Sequence, residues 1–406
     1  NCKDWVKRTP VVGSVEEYSQ VLTDGWRTLN FIVCAQEHFP NNILDEELVR
    51  IKLEAIRGQI RQLKKDFTDR SFTITFKGYD KLSEKWADGT SITELYDRIR
   101  KSKQMEKQYL KWWKLASEIF KDEKSVIFWP MNEPDYRFDG GLEYHLKLST
   151  KVIDEIRNIN PQRWIILNGY SRSLVGRGRS IFKIMKPIDR ENIVYGFHVY
   201  GTNKSKYNLP RFYEKNVISD ISQWDKKTKD ALNEITKFKK NFNVPVMVSE
   251  VGIVAKSRYI KKGVESEERA RFFKEVIIPW SIQCKCGFFY WALGGDNTPY
   301  VRLRSKDKGA AEYSSASKGY DPRPLSKPLI RDELLFKAIG LNDYFMFKKT
   351  KVKELQTLLN LDGHDIGDID GILGSKTQEA VRAWYKKKKI RFNKKTSDKL
   401  EYLIAL

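Results

Sequence analysis

Two glutamates in this chain stand at the ends of apolar runs. Val126-Ile127-Phe128-Trp129-Pro130-Met131-Asn132-Glu133-Pro134 is short enough for a strand buried on both faces, and it stops abruptly on Asn132-Glu133-Pro134. Proline lacks the N–H that a ladder needs and biases the preceding residue away from the helical region, so Glu133 is expected where the strand ends. Val246-Met247-Val248-Ser249-Glu250 repeats the arrangement, with Gly252 just beyond it. Two carboxylates brought to one place can divide the cleavage of a glycosidic bond. One protonates the leaving oxygen, and the other attacks the anomeric carbon or activates water. His198 with Tyr200, and then Trp291, end two further apolar runs and could line the same place. Each residue alone also reads as core packing, a structural ion pair or a solvated turn; the ordered set is what points to chemistry.

The elements that would position these groups alternate. Helical spacing over Ser14 to Asp24, Asp45 to Lys65, Met105 to Phe120, Tyr144 to Asn158, Lys226 to Asn241 and Glu265 to Trp280 is interleaved with strand-like runs. Those runs are Leu29 to Ala35, Ser71 to Lys77, the Val126 run, Arg163 to Asn168, Ile193 to Tyr200, Pro245 to Val251 and Gly287 to Leu293. A short helical piece falls near Ile181 to Met185, and Asp332 to Ile339 reads as a closing helix. Strands alternating with helices over this length predict an α/β chain, a closed (β/α)8 TIM barrel rather than an open doubly wound sheet. An eighth strand is expected near the N-terminus, where only the short Val6 to Val12 is available. All strand C-termini of such a barrel open on one face, so residues far apart in sequence meet there. No Gly-x-Gly-x-x-Gly follows any strand, which argues against a nucleotide fold.

Charge and cysteine bound the remaining classes. The 406 residues include 75 Lys+Arg against 53 Asp+Glu, a formal net charge of +22. That field would attract anionic surfaces, yet the lysines are spread along outward helix faces, and no nucleic-acid partner is expected. Cys2, Cys34, Cys284 and Cys286 are too few for a disulfide scaffold. Cys284-Lys285-Cys286 lacks the spacing of a redox pair and has no histidine beside it for zinc, so one bridge between Cys2 and Cys34 and buried free thiols are both open. No metal or other cofactor is expected. The sequence shows no basic leader with an apolar core, and its longest apolar stretch, Val276 to Leu293, is interrupted by Pro279, Gln283 and Lys285. No membrane span is expected.

Asn132-Glu133-Pro134, His198-Val199-Tyr200, Glu250-Val251-Gly252 and Trp291, in that order on successive strands, resemble glycoside hydrolase family 5, the cellulase and mannanase family of clan A. The resemblance covers roughly Gly25 to Leu293. It implies a retaining endo-β-glycanase with Glu133 as acid/base and Glu250 as nucleophile. It further implies that Asn132 bonds the sugar 2-hydroxyl, that His198 and Tyr200 orient the nucleophile, and that Trp291 stacks under the cleaved sugar. Two departures stand out. The family's second-strand arginine is replaced in Gly25-Trp26-Arg27-Thr28-Leu29-Asn30, which offers Asn30, and the strand that usually ends on histidine runs Thr73-Ile74-Thr75-Phe76-Lys77. Among the other aromatics, Tyr136 and Tyr170, just past strand ends, are candidate sugar platforms, because apolar pyranose faces stack on rings.

A composition change near Phe347 to Lys351 marks a basic linker, giving domains at 1–345 and 346–406. Val352, Leu355, Leu358 and Leu359 form one helical face, and Ala380, Val381 and Trp384 another, around a Gly- and Asp-rich turn. Lys353-Glu354-Leu355-Gln356, Asp370-Gly371-Ile372-Leu373-Gly374 and Thr377-Gln378-Glu379-Ala380-Val381 resemble the three-helix type 1 peptidoglycan-binding domain. That resemblance implies a cell-wall or envelope glycan as partner beside the polysaccharide substrate, with the protein extracellular or at an envelope, including that of a virion.

Overall fold

The computed structural model describes residues 14–34, 38–39, 42–77, 95–134, 140–170, 173, 175, 180–201, 221–253, 265–290, 332–340, 352–369 and 375–387. Seven strands make one sheet in sequential order: β1 (Thr28–Cys34), β2 (Ser71–Lys77), β3 (Val126–Asn132), β4 (Ile165–Asn168), β5 (Ile193–Gly201), β6 (Val246–Ile253) and β7 (Gly287–Tyr290). Every neighbouring pair is parallel. Helices return the chain between strands, which is the connection that parallel pairing demands. Trp26, just before β1, meets Tyr290 of β7 at 5.7 Å between ring centroids and Phe336 of the last barrel helix at 6.1 Å. The sheet is therefore curled, bringing its two ends together as a (β/α)8 barrel requires. The expected strand at Val6 to Val12 lies outside the described residues.

Alternation along the strands sorts the core into two layers. Phe31, Phe72, Ile74, Phe128, Ile165, Leu167, Phe197 and Val248 belong to the large apolar layer between strands and helices. The opposite parity, Ile127, Trp129, Ile166, Val194, Met247 and Phe289, forms a separate cluster inside the barrel. The helices start where their sequences offer caps. Ser14 and Glu17 close a capping box on Val15–Thr23, and Asp45 caps Glu46–Leu63 by accepting from Leu48 N at 3.0 Å. Ser102 and Asp332 do the same for Lys103–Ile119 and Glu333–Ala338.

Three features depart from expectation. Leu95–Lys101 is a helix, with Leu95, Tyr96 and Ile99 buried. Glu265 to Cys284 is interrupted by a π-helical turn at Phe273–Ile277, directly ahead of Pro279, which cannot supply the ladder N–H. Cys284 and Cys286 are bonded to each other, with Cα atoms 5.1 Å apart, so these two are not free thiols. They flank Lys285, whose left-handed backbone (φ 52°) reverses the chain after Ile278–Cys284. The side chains of Cys2 and Cys34 lie outside the described residues.

At the N-terminal end of the barrel, Arg163 is buried and donates to Phe120 O at 2.6 Å, Glu123 O at 2.7 Å and Val126 O at 2.5 Å. Its guanidinium also lies 4.9 Å from the centre of the Phe128 ring. The C-terminal segment has its own small core. A helix over 352–361 and Ser375–Lys387 enclose Leu359, Ile366, Ala380 and Val381, with Leu355 and Trp384 packed against them. Leu358, expected on that inner face, is 65% exposed, because the packed stripe runs through Val352, Leu355, Gln356 and Leu359 instead. Thr377 accepts from Gln356 Nε2 at 3.2 Å, tying one helix to the other.

Candidate active site

Both glutamate-bearing strands carry one extra residue just below their acid. β2 and β3 pair Thr75 with Trp129 and next Lys77 with Asn132, so β3 spends three steps where β2 spends two. β5 and β6 pair Phe197 with Val248 and next His198 with Glu250, leaving Ser249 as the additional residue of β6. Such bulges re-aim a side chain at the rim of a barrel. Glu133 adds a second distortion, a left-handed backbone at φ 51°. A side-chain-bearing residue holds that conformation only when its surroundings impose it, at a cost of about 1–3 kcal/mol, and such residues cluster at functional sites.

The outcome is a buried cluster. Glu133, His198 and Glu250 each present an atom, and the three atoms lie within 4.8 Å of one another. His198 Nδ1 is 3.1 Å from Glu133 Oε1 and 3.4 Å from Glu250 Oε2, and all three side chains are almost inaccessible. A single ring nitrogen thus faces both carboxylates. Residues 65 and 52 positions from His198 along the chain have been brought to one histidine by strand order alone. The set also has the donor types and spacing of a cation site, N and O ligands on three sides.

Asn132 is buried beside Glu133, and its carbonyl accepts from Tyr96 Oη at 3.4 Å. Among the described residues, Asn132 Oδ1 and His198 Nε2 are buried with no hydrogen-bond partner, so both are polar atoms suited to a ligand hydroxyl. The other expected groups are placed less completely. Tyr200 is the penultimate residue of β5, opposite Gly252, its side chain being outside the described residues, as are Tyr136 and Trp291 altogether. Tyr170 is half-buried, and its ring edge lies so close to Gly141 that a Cβ there would come within 2.7 Å of its hydroxyl. The ring is packed on the start of Gly141–Arg157. Asn30, at the position of the expected arginine, accepts from Thr73 Oγ1 at 2.8 Å and Thr75 Oγ1 at 2.6 Å. Lys77 follows those threonines at the same parity, in register with Asn132.

Sequence reading passed over the residue beneath the cluster. Asn168, the last residue of β4, is fully buried and bonded on every side. Its Oδ1 accepts from Trp129 Nε1 at 2.8 Å and from Glu133 N at 3.4 Å, while Nδ2 donates to Gly196 O at 3.0 Å and Ser249 Oγ at 2.9 Å. The signal was available, since Ile-Ile-Leu-Asn ends a buried run on a polar residue just as Val126 to Asn132 does.

Residues 84–297 match the cellulase family (glycosyl hydrolase family 5), and residues 348–391 match a peptidoglycan binding domain. Among solved structures, the chain is similar to an endoglucanase at 15% identity, covering 81% of this chain and 90% of that one, with a TM-score of 0.57. It is also similar to the cellulose synthase subunit Z from Clostridioides difficile (15% identity, 81% and 92% covered, TM-score 0.56) and to endoglucanase Cel5A from the hyperthermophile Thermotoga maritima (16%, 82% and 93%, 0.54). At these identities the likeness is one of fold. No curated protein matches the chain by sequence. The cellulase match spans more than half of the 406 residues and encloses both glutamates, and the chain belongs to glycosyl hydrolase family 5.

Proposed function

We propose that the chain is a retaining β-glycanase with Glu133 as acid/base and Glu250 as nucleophile, anchored to a cell envelope by residues 346–406. The observation that carries the reading is the convergence of the two carboxylates within 4.8 Å, one on each bulged strand. Retaining enzymes hold their pair about 5–5.5 Å apart, whereas an inverting pair leaves room for a water at about 6.5–9.5 Å. In the first step Glu133 gives its proton to the glycosidic oxygen while a Glu250 oxygen attacks the anomeric carbon; the C–O bond breaks and a glycosyl ester forms. In the second, Glu133 takes a proton from water, the water oxygen attacks the same carbon, and Glu250 leaves as carboxylate. The reading is supported by Asn132 Oδ1, which is buried without a partner among the described residues and would accept from a sugar hydroxyl beside the acid. His198 faces both carboxylates and can hold whichever one is charged at each stage.

Structures of Thermotoga maritima Cel5A are in complex with cellobiose and with mannotriose, so β-1,4-linked glucan and mannan lead the substrate panel. The match over 348–391 adds purified cell wall. The test is release of reducing sugar from that panel by the whole chain and by Glu250→Ala and Glu133→Ala. Turnover by the parent and a loss of at least about 10³-fold in each variant are expected. A second reading, a glycan-binding or structural protein on a weakened barrel, is favoured by Asn30 and its two threonine partners where the family usually has arginine. Binding without turnover across the panel would establish that one instead.

A further inference from the structure

We infer that Asn168 is the positioning residue that couples the proton donor to the nucleophile, an inference that rests on the retaining reading above. Its side chain is fully buried, and its amide is bonded to protein groups on both sides, Trp129 and Glu133 at the oxygen and Gly196 and Ser249 at the nitrogen. A side-chain amide offers an oxygen with two lone pairs and two N–H donors, and Asn168 uses all four. The oxygen holds Trp129 Nε1 of β3 and the backbone N–H of Glu133; the amide holds Gly196 O of β5 and Ser249 Oγ of β6. The bonded set includes Glu133 itself and Ser249, the residue next to Glu250 and the extra residue of its bulge. One planar group thus sets the separation of the two strands whose acids must face one bond.

The surroundings are built for this contact. Gly196 lies at the centre of the layer, where a Cβ would fall 2.7 Å from Ser249 Oγ and 2.8 Å from Asn168 Nδ2. Any side chain at 196 would displace the bond between them. From the outer face, His145 Nε2 meets the Asn168 carbonyl at 2.9 Å, and since a carbonyl only accepts, the ring donates there. The left-handed Glu133 needs a partner for its N–H to hold that strained backbone, and Asn168 Oδ1 is the acceptor. Without this tie, both the bulge at Ser249 and the turn at Glu133 lose a contact, and the carboxylates are free to drift.

Misplacing a reacting group by about 1 Å costs about 10²-fold in rate. Asn168→Asp keeps the shape and the oxygen but removes both N–H donors, and its kcat is expected to fall about 10²-fold with KM changed less than about threefold. Ser249→Ala, a milder change that keeps the fold, removes one acceptor from the same network and is expected to lower kcat in the same direction. A second readout is independent of turnover. The chain has four histidines, His38, His145, His198 and His364. Their ring ¹⁵N resonances report each site, and both variants are expected to move those of His198 while leaving His364 in place. Variants that melt earlier but keep kcat, with unmoved His198 resonances, would make Asn168 a purely structural residue and overturn the inference. A parent chain that cleaves no β-linked glycan would overturn the hydrolase reading, and the resonances of His198 would then decide the tie by themselves.

Discussion

At the residue scale, burial sets the protonation of two histidines outside the carboxylate cluster, His38 and His145. His38 accepts from Trp112 Nε1 at 2.7 Å through Nδ1, so that nitrogen carries no proton. His145 donates through Nε2 to Asn168 O. Burial pushes both rings down from 6.5 to about 4. The unfolded chain therefore binds protons that the folded chain refuses between these values. Stability is full above pH 6.5 and is lost as pH falls toward 4, by up to about 3 kcal/mol for each ring. Urea denaturation from about pH 8 down to about pH 4 should show this loss, and a flat profile would contradict it. His145 and its carbonyl partner place part of that acid sensitivity directly under the site. Glu133, Glu250 and His198 were legible in sequence because each ends or nearly ends a buried apolar run. Asn168 carries the same signal, a polar residue closing a buried run, but asparagine at a strand end also reads as an ordinary turn residue.

At the element scale, the barrel was legible where strands are buried on both faces and helices begin on a capping side chain. β2 was bounded to the residue, and Ser14, Asp45 and Asp332 mark helix starts as their types suggest. Leu95–Lys101 escaped because seven residues are too short for a periodic signal to stand out. The π turn escaped because proline announces a break without saying how the chain absorbs it. One residue between Cys284 and Cys286 is not the spacing of a redox pair, yet the left-handed Lys285 lets the chain fold back far enough to join them. Arg163 shows how one residue can fasten several elements at once, since it holds the loop leading into β3 by three carbonyls. Arg163→Met would leave those acceptors buried and unpaired, and a loss of about 3 kcal/mol is expected in chemical denaturation. Because Arg163 precedes β4 at the end of the barrel opposite the glutamates, kcat should be unchanged. A fall in kcat without loss of stability would place Arg163 in the wrong role.

At the scale of the whole molecule, among the described residues the small core of 352–387 shares no residue with the barrel core. None of the helices among the described residues is long and apolar enough to cross a membrane. In the proposed function, attachment belongs to the segment that matches a peptidoglycan binding domain, and a tether of that kind raises the local concentration of an enzyme on its polymer. A chain lacking 346–406 is expected to hydrolyse soluble substrate as fast as the parent and to lose retention on purified wall. The net charge of +22 offers a rival source of retention. Salt separates the two, because charge attraction is screened at about 1 M ionic strength while contacts in a binding cleft persist. Retention that vanishes in salt and survives the deletion would assign attachment to the charge.

The account rests on two carboxylates acting from opposite sides of one bond, and the stereochemistry of the first product tests it most directly. Proton NMR of a β-1,4-linked oligosaccharide during hydrolysis distinguishes the anomers before mutarotation mixes them. Two successive inversions at one carbon predict that the β anomer appears first. First appearance of the α anomer would mean a single displacement by water, and would contradict a nucleophilic Glu250.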